Sequence, residues 1–183
     1  MMEVNRSNTK ALIVIGGMIL FAALSRLVPH WPNFTPIAAM ALFGGAVVND
    51  KRLAYLMPLT ALVISDLALS FMFGYDFFSI GRIVIYSTFA LITYMGVKMH
   101  SKVGVRPVVL KGFLASLIFF VVTNFFVWVS SGMYAHDAAG LMLCYEAAIP
   151  YFGNSLLGNA FYLAVLFGGY SAFRNLIPAS IKA

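Results

Sequence analysis

AAGLMLCYEAAIPYFG, residues 138–153, decides how many times this chain crosses a membrane. The stretch is apolar enough to be a span, but it carries Glu146 and is broken by Pro150. Six further apolar runs surround it, over residues 11–28, 36–48, 53–73, 77–97, 112–133 and 155–173. A membrane helix needs about 20 such residues, so the chain reads as a bundle of spans joined by short connections. Composition agrees: 62% of the 183 residues are hydrophobic and 10% are charged, against about 25% charged residues in a soluble domain. Mean hydropathy is +0.92. The expected class is an all-α integral membrane protein forming one domain over residues 1–183, with no room for a soluble second domain.

Charge decides between six spans and seven. If residues 138–152 stay outside the bilayer and the other runs cross, ten basic residues share one side: Arg6, Lys10, Lys51, Arg52, Lys98, Lys102, Arg106, Lys111, Arg174 and Lys182. Only Arg26 and Arg82 lie opposite. Seven spans would give eight against four and strand Glu146 near the bilayer centre. Basic residues favour the cytoplasmic side, so the expected topology is six spans with residues 1–10 and 174–183 cytoplasmic. Residues 138–152 then form a short extra helix on the outer face between the last two spans. The net charge of +6 suits anchoring to anionic lipid and is no argument for nucleic acid. The first run exceeds the apolar core of a signal peptide and reaches Arg26 without a clean cleavage site, so it reads as a retained span.

Depth along the helices selects candidate site residues. At 1.5 Å per residue, Asp66 lies about 21 Å above Arg52, Asn124 about 20 Å above Lys111, Arg82 about 24 Å above Lys98 and Asn159 about 22 Å above Arg174. Spacings of three or four residues add Ser70 to Asp66, Tyr86 to Arg82, Trp128 to Asn124, and Ser155 and Tyr162 to Asn159. The expectation is a polar layer in the outer half, lining a cavity that opens outward over an apolar floor. A charge such as Asp66 is costly inside a bilayer and needs a partner, and Arg26 and Arg82 are the available cations. The competing reading is that these groups only staple helices together.

The connection before the second span, PHWPNFTP at residues 29–36, is the expected rim of that cavity, with His30 and Asn33 as candidate contacts. The span that follows is about 13 residues long, near 20 Å, too short to cross unaided. Small residues mark packing surfaces: Ala41 with Gly45 in the second span, and Ala160, Ala164 and Gly168 in the last. LFGGAVVN at Leu42 and LFGGYSAF at Leu166 are similar phrases whose paired glycines allow close backbone approach, between these helices or to a partner.

The sequence has no G-x-x-x-x-G-K-[ST], H-E-x-x-H or G-x-S-x-G pattern, so it offers no nucleotide-binding, zinc-protease or nucleophile-elbow signature. Cys144 is the single cysteine, which excludes an internal disulfide. No metal site and no cofactor are expected. An acid–base role for Asp66, or for His136 with Asp137, would make the chain an intramembrane enzyme acting on lipid or peptide. A ligand-free structural subunit is the third possibility.

RLVPHWPNFTPIAAMALFGG, LMPLTALVISDLAL, FFVVTNFFVWV and GLMLCYEAAIPYFGNSLLGN together resemble a family of small bacterial membrane proteins of unknown function described as transport proteins. Their size and six-span layout are similar to the substrate-binding S components of energy-coupling factor transporters. That resemblance implies capture and uptake of a small nutrient, a vitamin or similar micronutrient, in the bacterial cytoplasmic membrane. Arg26, His30, Asn33, Asp66, Arg82, Tyr86, Asn124, Trp128 and Asn159 would serve substrate binding. Separate transmembrane and ATPase subunits would supply the energy. One departure is the first span, which lacks the alanine-x-x-x-alanine pair through which S components commonly dock. Another is FGYDFFSIGR, which lacks the cysteine that solitary cobalamin S components often place there.

Overall fold

The computed structural model describes residues 16–74, 76–99 and 103–173. They form six helices: α1 (Gly16–Leu27), α2 (Ile37–Val47), α3 (Lys51–Phe73), α4 (Ile80–Val97), α5 (Val105–Ser130) and α6 (Ala138–Phe173). No strand occurs among the described residues. Helices α3, α4 and α5 are long and apolar enough to cross a membrane, whereas α1 and α2 are shorter apolar helices. The helices expose apolar side chains: Phe71 and Val105 are more than four-fifths exposed, as suits a surface that meets lipid rather than water.

Helix α2 is the centre of the bundle, with ten of its eleven residues buried. A helix apolar on every side is stable only when neighbours cover it, and α3, α4, α5 and α6 all pack on this one. It is about 16 Å long, half a hydrocarbon core, as its short apolar run predicts. The chain leaves it through extended Val48 and enters α3 at Asp50, whose carboxylate accepts from the Arg52 and Leu53 amides at 2.8 and 3.4 Å. Helix α3 ends at Gly74, which adopts φ 72°, a left-handed cap that glycine takes without a Cβ penalty.

Backbone meets backbone where α2 crosses α4. A Cβ on Gly96 would collide with the Leu42 carbonyl and lie 3.0 Å from the Gly45 Cα. Gly45 of α2 therefore packs against α4. Its counterparts Gly168 and Gly169 in the similar phrase of α6 have open space around them. Helix α6 reaches α2 through side chains instead, with Phe43 edge-on to Phe167 at 5.1 Å and to Tyr170 at 6.0 Å.

The expected break after residue 152 is absent. Helix α6 runs unbroken for 36 residues through Pro150, about 54 Å, so residues 138–152 are not a separate outer-face helix. Proline removes one helical hydrogen bond but need not end a helix held by its neighbours. Both flanks of Pro150 are tied to α5. Tyr145 donates to the Val121 carbonyl at 2.8 Å, and Phe120 packs on Tyr145 at 5.4 Å and on Phe152 at 4.7 Å. Glu146, which argued against a crossing by this run, lies on an exposed face of α6.

Candidate functional site

Asp66 is buried in α3, and its two oxygens collect groups from two other helices. Oδ1 pairs with Arg26, in the last turn of α1, at 2.7 Å. Oδ2 accepts from the Tyr86 hydroxyl at 2.9 Å and pairs with the Arg82 Nε at 3.4 Å, both from α4. The carboxylate side chain is 8% exposed, against 21% for Arg26 and 17% for Arg82. One acid thus joins three helices, as expected for a charge that cannot remain unpaired in an apolar bundle.

The arginines differ in what they have left to offer. Arg82 commits all three nitrogens: Nε to Asp66, Nη1 to the Asp76 carbonyl and Nη2 to the Ser70 hydroxyl at 2.9 Å. Its guanidinium also lies 5.2 Å from the Phe77 ring centre. It holds the α3–α4 connection as well as the acid. Arg26 uses only Nη1, for Asp66 and for the Ser65 hydroxyl at 2.5 Å. Its Nε and Nη2 have no partner among the described residues. Two guanidiniums against one carboxylate leave a formal charge of +1, and a free guanidinium edge is suited to carboxylate or phosphate.

The remaining candidates lie in three other places. Asn124 turns back on its own helix, donating to the Phe120 carbonyl at 2.8 Å. Trp128, one turn on, donates to the Ala135 carbonyl at 2.8 Å and stacks edge-on with His136 at 5.6 Å, closing the α5–α6 corner. Asn159 joins α6 to α5, donating to the Gly112 carbonyl at 2.7 Å and the Ser116 hydroxyl at 3.2 Å. His30 and Asn33 lie on the α1–α2 connection. The His30 Nδ1 meets the Val28 carbonyl at 2.6 Å, and Asn33 takes φ 65°. Asparagine tolerates that left-handed turn, so backbone geometry alone accounts for its residue type.

The polar groups therefore do not form one layer. Helix α5 starts at Val105, before Lys111, which puts Asn124 about 28 Å along it. Gly112 and Ser116, the partners of Asn159, lie only about 10 and 16 Å along. Two residues that matter escaped the spacing argument. Ser65 stands next to the acid in sequence, and a hydroxyl within an apolar helix was a usable signal. Phe34 carried none: it anchors the connection by packing on Phe161 at 6.1 Å and Tyr162 at 5.7 Å.

The His136 and Asp137 pair also has another occupation. Asp137 caps α6, its Oδ1 accepting from the Gly140 amide at 2.7 Å. Asp137→Ala is expected to cost about 1 kcal/mol, the usual loss for an N-cap, and to lower the melting temperature by about 2 to 4 °C. Asp137→Asn, which can still cap, should melt within a degree or two of wild type. An acid–base role would instead make both variants inactive in any turnover assay. Among the described residues no three His, Cys, Asp or Glu side chains converge on a metal-binding position.

The sequence model of a family described as a family of unknown function (DUF6580) matches residues 6–180. No curated protein and no solved structure matches the chain.

Proposed function

The chain belongs to that family of unknown function, and we propose that it captures a small anionic nutrient at the outer face of a bacterial cytoplasmic membrane for uptake energised by a separate partner. The observation that carries the reading is the Arg26–Asp66–Arg82 cluster with its surplus positive charge and the unused edge of Arg26. In this reading all six helices cross, α2 with help from the connection before it, and both termini are cytoplasmic. Lys51 and Arg52 at the start of α3, Lys98 after α4 and Arg106 at the start of α5 support that orientation, since the cluster lies at the opposite ends of α3 and α4. The substrate is a vitamin-sized molecule bearing a carboxylate or phosphate. Its acid pairs with Arg26, and the rest lies toward Tyr86 and the ring of Phe77, which border the same cluster at Asp66 and Arg82. An S-component-like mechanism, with energy from transmembrane and ATPase subunits, suits a chain without nucleotide motifs.

One fact favours a second reading. Both oxygens of Asp66 are already filled by the protein itself, as in a closed staple of a structural membrane subunit. Thermal unfolding of the detergent-purified protein separates the two, with small carboxylates, phosphate and sulfate added in turn at millimolar concentration. A ligand at about a hundredfold its Kd adds about 2.7 kcal/mol, or about 5 to 10 °C for a chain of this size. We expect at least one anion class to produce such a shift in wild type and none in Arg26→Gln, which leaves Asp66 paired to Arg82. No shift with any anion, and no small anion retained through purification, would favour the structural reading.

A further inference from the structure

An open cavity of 940 Å³ lies away from the charged cluster, between the first turns of α5 and the last turns of α6. On α6 its lining runs from Leu156 to Ser171, about 22 Å along the helix axis. One leaflet of hydrocarbon is about 15 Å deep, half of a core of about 30 Å. The channel is therefore long enough for a lipid chain and the start of its headgroup.

The lining changes character along that length. Its deep part is apolar except for Ser116 and Asn159, which bond each other at 3.2 Å. At the other end Tyr170 and Ser171 enter the lining, and neither hydroxyl has a hydrogen bond among the described residues. Charge gathers at the same end. Arg106 is exposed and precedes Val109 and Phe113, both in the lining, by three and seven residues, so it continues one edge of the lined strip of α5. Lys111, half-buried, follows Val108 by three and stands beyond the opposite edge. Neither cation has a partner among the described residues. No acid lies on α5, or on α6 after Glu146, to balance them.

An occupant has to answer both ends. An extended peptide would carry unpaired amides and carbonyls into the apolar depth. A neutral lipid would fill the depth and leave two cations unmatched, whereas a small free anion would match the cations and leave the depth empty. A molecule with an anionic head and a hydrocarbon chain meets both demands, and the bilayer supplies it as anionic phospholipid. We propose that the α5–α6 cavity binds one anionic phospholipid, with an acyl chain running toward Leu156 and the phosphate held at the mouth by Arg106, Lys111 and the Ser171 hydroxyl. In the proposed orientation that mouth faces the cytoplasm, where such lipids give the leaflet its negative surface potential. The inference rests on the helices lying in a bilayer. The site shares no residue with the charged cluster and stands whether or not the cluster binds an anion.

Two photoreactive lipids test it on the full chain in nanodiscs: phosphatidylglycerol and phosphatidylcholine with identical chains, each carrying a diazirine near the chain end. The anionic lipid is expected to crosslink saturably to peptides covering 108–116 and 156–164, at least fivefold more than the neutral one. Excess unlabelled phosphatidylglycerol should displace it, and glycerol 3-phosphate, the free anion, should not. Arg106→Gln with Lys111→Gln should bring labelling by phosphatidylglycerol down to the phosphatidylcholine level, which itself should not change. Ala164→Phe, which fills the cavity, should reduce labelling by both, and Arg26→Gln should alter neither. Equal labelling by the two lipids in wild type would overturn the proposal and make the cavity a seat for ordinary acyl chains. Absence of labelling by either would overturn it in favour of a partner helix covering the groove. An anionic preference that survives the double substitution, or displacement by glycerol 3-phosphate, would overturn it as well.

Discussion

Asp66→Ala is expected to lower the melting temperature of the detergent-solubilised protein by about 6 to 12 °C. Removing one partner of a buried ion pair costs about 3 to 5 kcal/mol, because the remaining charge stays desolvated with nothing to balance it. Here two guanidiniums are left facing an apolar interior, and the Tyr86 hydroxyl loses its acceptor. The arginines are 21% and 17% exposed, so water relieves part of the penalty and the loss should fall near 3 kcal/mol. For a chain of this length that corresponds to the stated range. The cause can be separated from simple loss of packing. In the Asp66→Ala background, Arg26→Gln removes one of the two opposed cations and should recover part of the lost stability, whereas in wild type it should be destabilising. This opposite-sign coupling is the signature of shared charge. Additive effects of the two substitutions would mean that the cluster is not an electrostatic unit.

Gly96→Ala is expected to be a strongly damaging methyl addition, because it falls where α2 crosses α4 backbone to backbone. The new Cβ would meet the Leu42 carbonyl and the Gly45 Cα, both backbone atoms of a helix that is buried along nearly its whole length. No side chain can swing aside, so α2 and α4 must move apart and give up contact along the crossing. Overpacking of this kind costs about 1 to 3 kcal/mol and occasionally more. Alanine offsets up to about 1 kcal/mol through its better helix propensity. We expect a net loss of about 2 kcal/mol, visible as a fall in melting temperature of about 4 to 8 °C. Gly153→Ala in α6 is the control: nothing lies within 4 Å of its added methyl, so only the propensity gain remains and stability should hold or rise. Gly45→Ala meets the Thr93 carbonyl and the Val97 amide and should behave like Gly96→Ala. Together the two should cost less than their sum, since either one already separates the helices.

How much of this was legible follows from which physical rules are local. The need of Asp66 for Arg26 and Arg82 could be read directly, because a charge in an apolar run must be paired and few cations were on offer. The shortness of α2 was legible from run length. That it forms the buried centre of the bundle was not, since an apolar run does not say whether lipid or protein surrounds it. Pro150 and Glu146 misled for a related reason. Each has a local cost in a membrane helix, but Tyr145 and Phe152 tie both flanks of Pro150 to α5, and such long-range contacts leave no local trace. The expected level of Asn124 and Asn159 failed on a boundary: depth was counted from Lys111, while α5 begins at Val105. Likewise Gly45 had its match in α4 rather than in the similar phrase of α6, because two helices pack by facing surfaces and not by likeness of sequence.

The proposed uptake requires the Arg26–Asp66–Arg82 cluster to open to water on the outer face, and the accessibility of Ser70 checks this. Its hydroxyl touches Arg82, and cysteine is close to serine in shape. With Cys144 replaced by serine, Ser70→Cys gives a chain with one thiol beside the cluster. Intact cells expressing it would be treated with a charged, membrane-impermeant thiol reagent and compared with permeabilised cells. Full labelling is expected from outside, with no gain on permeabilisation, and slower labelling when an anion that raises the melting temperature is present. Labelling that appears only after permeabilisation, or a thiol that stays unreactive in both, would contradict it.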